Sequence, residues 1–202
     1  MVPRKGVDTV IRAAARLSKV HGIEAKLLIV GGEADDPDPT RTPEIGRLRA
    51  VAAAEGISER VVFTGRRSRQ VLRYYYSAAD VFVTTPWYEP FGITPVEAMA
   101  CGIPVMGASV GGIKSTVDRG GTGFLVPPRD PDAVAERLAH LFTHPQIALS
   151  LGCAGRQRAQ RYFTWTRVAR KIADVYARVA GTEREQRVVP PIASRSSVWQ
   201  RG

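Results

Sequence analysis

Residues 80–106 read Asp80-Val-Phe-Val-Thr-Thr-Pro86-Trp-Tyr-Glu89-Pro-Phe-Gly92-Ile-Thr94-Pro95-Val-Glu97-Ala-Met-Ala-Cys101-Gly-Ile-Pro104-Val-Met106. The run opens on Asp80–Thr84, a β-branched and aromatic segment with the composition of a buried strand, and closes on a second such segment at Pro104–Met106. Between them Pro95–Cys101 suits a helix, and Gly102 stops it. A strand, a helix and a strand joined this way make one βαβ unit, whose strands run parallel.

The same alternation extends outward in both directions. Upstream, apolar residues at Val7, Val10, Ile11, Ala14, Leu17 and Val20 recur at helical spacing until Gly22. Lys26–Val30 then reads as a strand, Pro43–Glu55 as a helix, Arg60–Thr64 as a strand and Arg69–Ala79 as a helix. Downstream come a short strand at Phe124–Val126 and helices over 131–143, 145–161 and 165–180. Strands that are continuous apolar runs, separated by single helices, imply a parallel sheet covered on both faces. The expected fold class is therefore α/β, a doubly wound, Rossmann-like parallel sheet over residues 1–180. The chain enters its first helix directly from Met1-Val-Pro-Arg-Lys-Gly6, so the strand that should precede that helix is expected to be missing. From Gly181 to Gly202 periodicity is lost and Pro and Ser accumulate, which reads as a disordered tail. In sheets of this class ligands bind beyond the carboxyl ends of the strands, here the loops after Val30, Thr64, Thr84 and Met106.

Composition bounds the partners. At 202 residues and 44% hydrophobic, the chain is long enough for one domain that buries about 70% of its unfolded surface. The formal charge of +10 suggests nucleic acid until it is placed along the chain. From Gly152 to Gly202 there are eleven Lys and Arg against three Asp and Glu, so eight of the ten charges lie there. The first 151 residues are close to neutral, and no nucleic-acid partner is expected. The basic terminal helices, interleaved with Tyr162, Phe163, Trp165, Val168, Ile172, Val175 and Tyr176, fit a peripheral contact with anionic lipid or a partner domain; a solvated face is the plain alternative. Two cysteines make no disulfide framework or zinc pattern, no Asn is present for glycosylation, and no run approaches the roughly 20 apolar residues of a membrane span. A cytoplasmic protein, free or peripheral to a membrane, is the expectation, with no metal and no cofactor.

The chemistry concentrates in Pro86–Pro104. Thr94 as N-cap, Pro95 at the first helical position and Glu97 three residues after the cap spell a capping box. Gly92 permits close backbone approach, and the free amides and positive dipole end of the following helix suit a phosphate or diphosphate. Glu97 is explained by the capping box alone, Glu89 by a solvated loop, and Lys5 by a plain terminal lysine; the functional alternative for each depends on context.

That context resembles a known family. Glu89-Pro-Phe-Gly-Ile-Thr-Pro-Val-Glu97-Ala-Met-Ala-Cys-Gly-Ile-Pro104 is similar to the second-domain signature of the retaining GT-B glycosyltransferases called group 1, or family 4 type, which include sucrose-phosphate synthases. Lys5-Gly6, Val30-Gly31-Gly32, Val62-Phe-Thr-Gly65, Tyr76-Ser-Ala-Ala-Asp80, Gly111-Gly112 and Thr122-Gly-Phe-Leu-Val-Pro127 support it in order and spacing. The resemblance implies the C-terminal, donor-binding half of a GT-B enzyme that transfers a sugar from a nucleoside-diphosphate donor with retention. It implies that Glu89 lies beside the transferred sugar as the catalytic residue. Glu97 holds the ribose hydroxyls, backbone groups at Phe91, Gly92 and Ile93 meet the sugar, and Ile93, Thr94 and Pro95 border the diphosphate. Lys5 neutralises the leaving diphosphate, and the base lies near Gly65 and Arg66. An acceptor-binding N-terminal domain, missing or in trans, completes such an enzyme, so the chain alone is expected to bind nucleotide weakly without turnover. A non-catalytic nucleotide-sugar module is the alternative.

Other signals compete. Gly107-Ala-Ser109-Val-Gly111 spells a nucleophile elbow, with Asp118 or Asp130 and His140 or His144 following in hydrolase order. Gly107–Ser115 misses a phosphate-binding P-loop by one residue. His140 and His144 are four apart without a third metal ligand, which leaves them as cations near a helix end. Tyr74, Tyr75 and Tyr76 invite a base-stacking reading, but on a helix the three rings point in different directions, which favours packing.

Overall fold

The computed structural model describes residues 1–181. The disordered tail expected over 181–202 lies, from residue 182 onward, outside the described residues. The chain divides into two units, Met1–Thr164 and a second from Trp165 onward.

In the first unit, a 3-10 turn at Pro3–Lys5 leads through Gly6 into α1 (Val7–His21). There follow β1 (Leu27–Val30), α2 (Pro43–Ala54), β2 (Val61–Gly65), α3 (Arg69–Ser77), β3 (Phe82–Thr84) and α4 (Ile93–Ala100). The unit ends with β4 (Val105–Ala108), α5 (Ile113–Thr116), β5 (Gly123–Val126), α6 (Pro131–Thr143) and α7 (Pro145–Tyr162). Sequence periodicity missed α5, because one helical turn is too short to show a period. The second unit contains α8 (Trp165–Val179), whose Val168, Ile172, Val175 and Val179 recur at helical spacing among arginines.

Among the described residues every pairing between two of these strands is parallel, as the apolar runs implied. They form two hydrogen-bonded pieces, β1-β2 and β3-β4-β5, rather than one continuous sheet. Among the described residues no strand pairs with both β1 and β3, so each keeps one unpaired edge. Leu28, on the face of β1 opposite the buried Ile29, is half exposed.

Helix α1 holds the two pieces together. Its Ile11, Ala14 and Ala15 pack with Ile29 of β1 and Leu48 of α2, while Ala13 and Leu17 pack with Met106 of β4 and Val134 and Leu138 of α6. On the opposite face of β4, Ala98 and Met99 of α4 close over Val105. All four residues of β4 are buried, which is the doubly wound arrangement: helices on both faces of a parallel strand. The carboxyl ends of β1, β2, β3 and β4 carry the loops that form the candidate site.

Candidate functional site

The turn before α1 is fastened to the end of β3. The Thr85 hydroxyl donates to the Gly6 carbonyl at 2.7 Å, and the Trp87 amide donates to the Arg4 carbonyl at 2.9 Å. Gly6 has φ 66, and a Cβ there would overlap the Thr85 carbonyl oxygen. Only glycine accepts both that conformation and that contact. Lys5 is thereby delivered to the mouth of the β3 loop, where its Nζ meets Glu89 Oε2 at 2.7 Å.

Glu89 is fixed from three sides. Besides Lys5, the Gly92 amide donates to Glu89 Oε1 at 3.3 Å, and the Gly112 amide donates to the Glu89 carbonyl at 2.9 Å. Burial raises the carboxyl, but the hydrogen bond and charge of Lys5, with amide donation from Gly92 and Phe91, outweigh it and hold Glu89 below its ordinary value. Gly111, with φ 41, lies so close that a Cβ would overlap the Glu89 carbonyl oxygen, and one on Gly112 would overlap Phe91. The Gly111-Gly112 pair therefore lets the β4 loop support the β3 loop. Arg158 of α7 braces the same region, donating to the carbonyls of Ser115 and Thr116 at 2.8 and 2.9 Å.

The helix start differs from the expected capping box. Gly92, at φ 86, is the N-cap, and α4 begins at Ile93, so Thr94 and Pro95 are its second and third residues and no side chain caps it. The left-handed glycine turns the chain two residues earlier than Thr94 would. Pro95 costs nothing at the third position, because the first amides of a helix have no intrahelical acceptor. Ile93 and Thr94 present such amides, and both residues are exposed. Glu97, released from capping, accepts instead from the Tyr76 hydroxyl at 2.8 Å through Oε2.

Gly65 and Arg66 sit at the end of β2. Gly65 has φ 76 and lies against the Asp35 backbone, while the Gly31 amide donates to its carbonyl at 2.9 Å. The Arg66 amide donates to the Ala34 carbonyl at 2.8 Å, and its guanidinium reaches Asp35 Oδ1 at 3.2 Å. The structure thus joins Lys5, Glu89, Phe91 and Gly92 by direct contact. Gly65 and Arg66 are tied to the β1 loop, and Glu97 to α3.

Two features escaped the sequence reading. Asp35 pairs with Arg66 only because the β1 and β2 loops meet. Arg129, at φ 60, is the sole non-glycine residue with positive φ among the described residues, and its guanidinium lies 3.8 Å from the Trp87 ring centroid. Its position straight after Pro127-Pro128 is the one local signal available.

The hydrolase reading fails here. A nucleophile elbow holds its serine in a strained turn, whereas Ser109 has no positive φ and its amide donates to the Val126 carbonyl at 2.7 Å. His140 packs against Phe124 and His144, and His144 Nδ1 lies 3.0 Å from the His140 carbonyl. Among the described residues no group of three or more His, Cys, Asp or Glu assembles to hold a metal ion. None of the described helices is long and apolar enough to cross a membrane.

The family model described as Glycosyl transferases group 1 matches residues 1–158. D-inositol 3-phosphate glycosyltransferase from Acidothermus cellulolyticus is 36% identical over 196 residues, covering 96% of this chain and 42% of the relative. A GDP-mannose-dependent alpha-(1-6)-phosphatidylinositol monomannoside mannosyltransferase from Mycobacterium tuberculosis is 34% identical, over 86% of this chain and 44% of its own length. The chain thus spans less than half the length of these curated relatives. Among solved structures, sucrose-phosphate synthase from Thermosynechococcus elongatus superposes with a TM-score of 0.79 at 37% identity, covering 90% of this chain and 44% of that one. Anabaena HepE in complex with UDP and glucose also gives 0.79, at 25% identity, covering 88% and 46%.

Proposed function

The chain belongs to the glycosyl transferases group 1 family, and we propose that its residues 1–164 bind a nucleoside-diphosphate sugar and supply the donor half of a transfer with retention of configuration. The observation that carries this reading is the convergence of Lys5, Glu89 and the start of α4 at the carboxyl end of the sheet. A cation, a carboxylate and unpaired helix amides at one point suit a substrate with a diphosphate next to a sugar.

In this reading the diphosphate rests on the Ile93 and Thr94 amides, with Lys5 neutralising the charge that develops as it leaves. Glu97 accepts from the ribose hydroxyls, and the base lies along Gly65 and Arg66. The bond between sugar C1 and the phosphate oxygen breaks, and the nucleoside diphosphate leaves with the electron pair. The acceptor oxygen bonds to C1 on the face the leaving group vacates, its proton passing to the departing phosphate oxygen. Glu89 flanks C1 and stabilises its positive charge. The acceptor site lies in a separate N-terminal domain, so residues 1–164 alone bind donor without turnover.

Isothermal titration with UDP, GDP and ADP and their glucose and mannose conjugates tests the reading. One nucleotide class is expected to bind, about tenfold more weakly in Glu97→Gln, since a hydrogen bond to a charged group contributes on the order of 1.5–3 kcal/mol. Absence of heat with every nucleotide overturns donor binding. Transfer that appears when a cognate N-terminal domain is added, and is lost in Glu89→Gln, separates an enzyme from a non-catalytic module.

A further inference from the structure

The tyrosine run of α3 is left over from the site just described, and one member of it touches a site residue. Tyr76 Oη lies 2.8 Å from Glu97 Oε2, although the two residues are 21 apart in sequence. Its ring is partly buried, packed beside Val96 and Phe82 against the cluster that contains Ala98, Met99 and Val105. An edge-to-face contact with Phe82, with centroids 5.5 Å apart and planes at 71°, pins the ring between α3 and β3. The contact fixes where the hydroxyl sits, beside Glu97.

We propose that Tyr76 is a positioning residue for ribose recognition: its hydroxyl holds one carboxylate oxygen of Glu97 so that the other is presented to the ribose hydroxyls. This rests on the donor-binding reading above.

Three physical points support it. An unrestrained glutamate loses rotamer freedom when it binds a ligand, a cost that prior immobilisation removes. Burial, and then the hydrogen bond and charge of Glu97, push the Tyr76 hydroxyl above its ordinary value, so it remains a protonated donor through the neutral range. A neutral phenol also leaves the carboxylate its full charge, whereas a lysine or arginine partner would cancel it. Glu97 thus stays a strong acceptor for a diol.

The neighbouring tyrosine extends the same support. Tyr75 Oη accepts from Arg67 Nε at 3.0 Å, and Arg67 Nη1 donates to the Asp35 and Arg66 carbonyls at 2.9 and 3.0 Å. Consecutive residues of α3 therefore brace both Glu97 and the β2 loop that carries Arg66. Tyr74 takes no part, being exposed with its hydroxyl on Arg73.

The test compares each of UDP, GDP and ADP with its 2′,3′-dideoxy form by isothermal titration, for the wild type, Tyr76→Phe, Glu97→Gln and the double variant. For the nucleotide that binds, the wild type should favour the ribose form about tenfold or more. Tyr76→Phe, which keeps the ring, should weaken the ribose form about three- to tenfold and leave the dideoxy form unchanged. In the Glu97→Gln background the same substitution should have no further effect. Equal weakening of both forms, or of neither, overturns the positioning role. The donor-binding reading fails separately, if the wild type binds no nucleotide. An unchanged unfolding midpoint for Tyr76→Phe confirms that packing is intact.

Discussion

Lys5 Nζ and Glu89 Oε2 lie 2.7 Å apart across 84 residues of sequence, joining the turn before α1 to the loop after β3. The pair is unequal: the Glu89 side chain is 19% exposed and that of Lys5 46%. Glu89 consequently depends on Lys5 more than the reverse. With Lys5→Ala, burial is opposed only by the backbone amides, so the Glu89 carboxyl should rise, which carboxyl-carbon NMR titration would measure. The sign for stability follows. The folded-state value lies below the unfolded one, so the contribution is complete above the ordinary value of 4.5 and is lost as pH falls through the lower folded value. Acid unfolding of the wild type should therefore show a dependence that is reduced in Lys5→Ala.

Gly6→Ala should destabilise the first unit by about 2 kcal/mol or more, because the new methyl group meets the Thr85 carbonyl oxygen in a left-handed conformation. Gly22→Ala provides the comparison. It shares the positive φ of 67, but nothing lies within 4 Å of the added carbon, so only the conformational strain, about 1 kcal/mol, should be lost. Urea unfolding of the two variants separates collision from strain.

Arg158→Ala removes the donors that hold the last two carbonyls of α5. It should cost about 1–2 kcal/mol in urea unfolding, less than two fully buried charged hydrogen bonds, since water can replace the guanidinium. Since α5 follows the Gly111-Gly112 turn that supports Glu89, nucleotide affinity should fall as well. Unchanged affinity would show that the turn is held without α5.

Hydrogen exchange should rank the strands. β4 is paired on both sides and wholly buried, so its amides should exchange slowest, while β1 and β3, each with one unpaired edge, should exchange faster. Equal protection of β1 and β4 would contradict the division of the sheet.

Much of the fold was legible because its signals are local. The apolar runs of β1, β2 and β3 and the period of α1 placed those elements within a few residues, and their alternation dictated parallel pairing. The start of α4 was misplaced for a local reason too: Thr94, Pro95 and Glu97 satisfy every rule of a capping box, yet Gly92 enters the left-handed region first and the helix begins there. At the site, the grouping of Glu89 with Gly92 lies within one loop and could be read. The tie between Tyr76 and Glu97 could not, since it depends on how α3 packs beside α4.

The sequence by itself determined the class of fold and the loop that forms the candidate site, because hydrophobic period and glycine placement act within a few residues of one another. Tertiary structure decided the partners. Lys5 on Glu89, Arg66 on Asp35, Tyr76 on Glu97 and Gly111 beneath the Glu89 carbonyl are contacts between separate βα units, brought together where the ends of parallel strands converge. So too with the division of the sheet: strand order depends on which edges find hydrogen-bonding partners, and a strand's own residues carry no record of that.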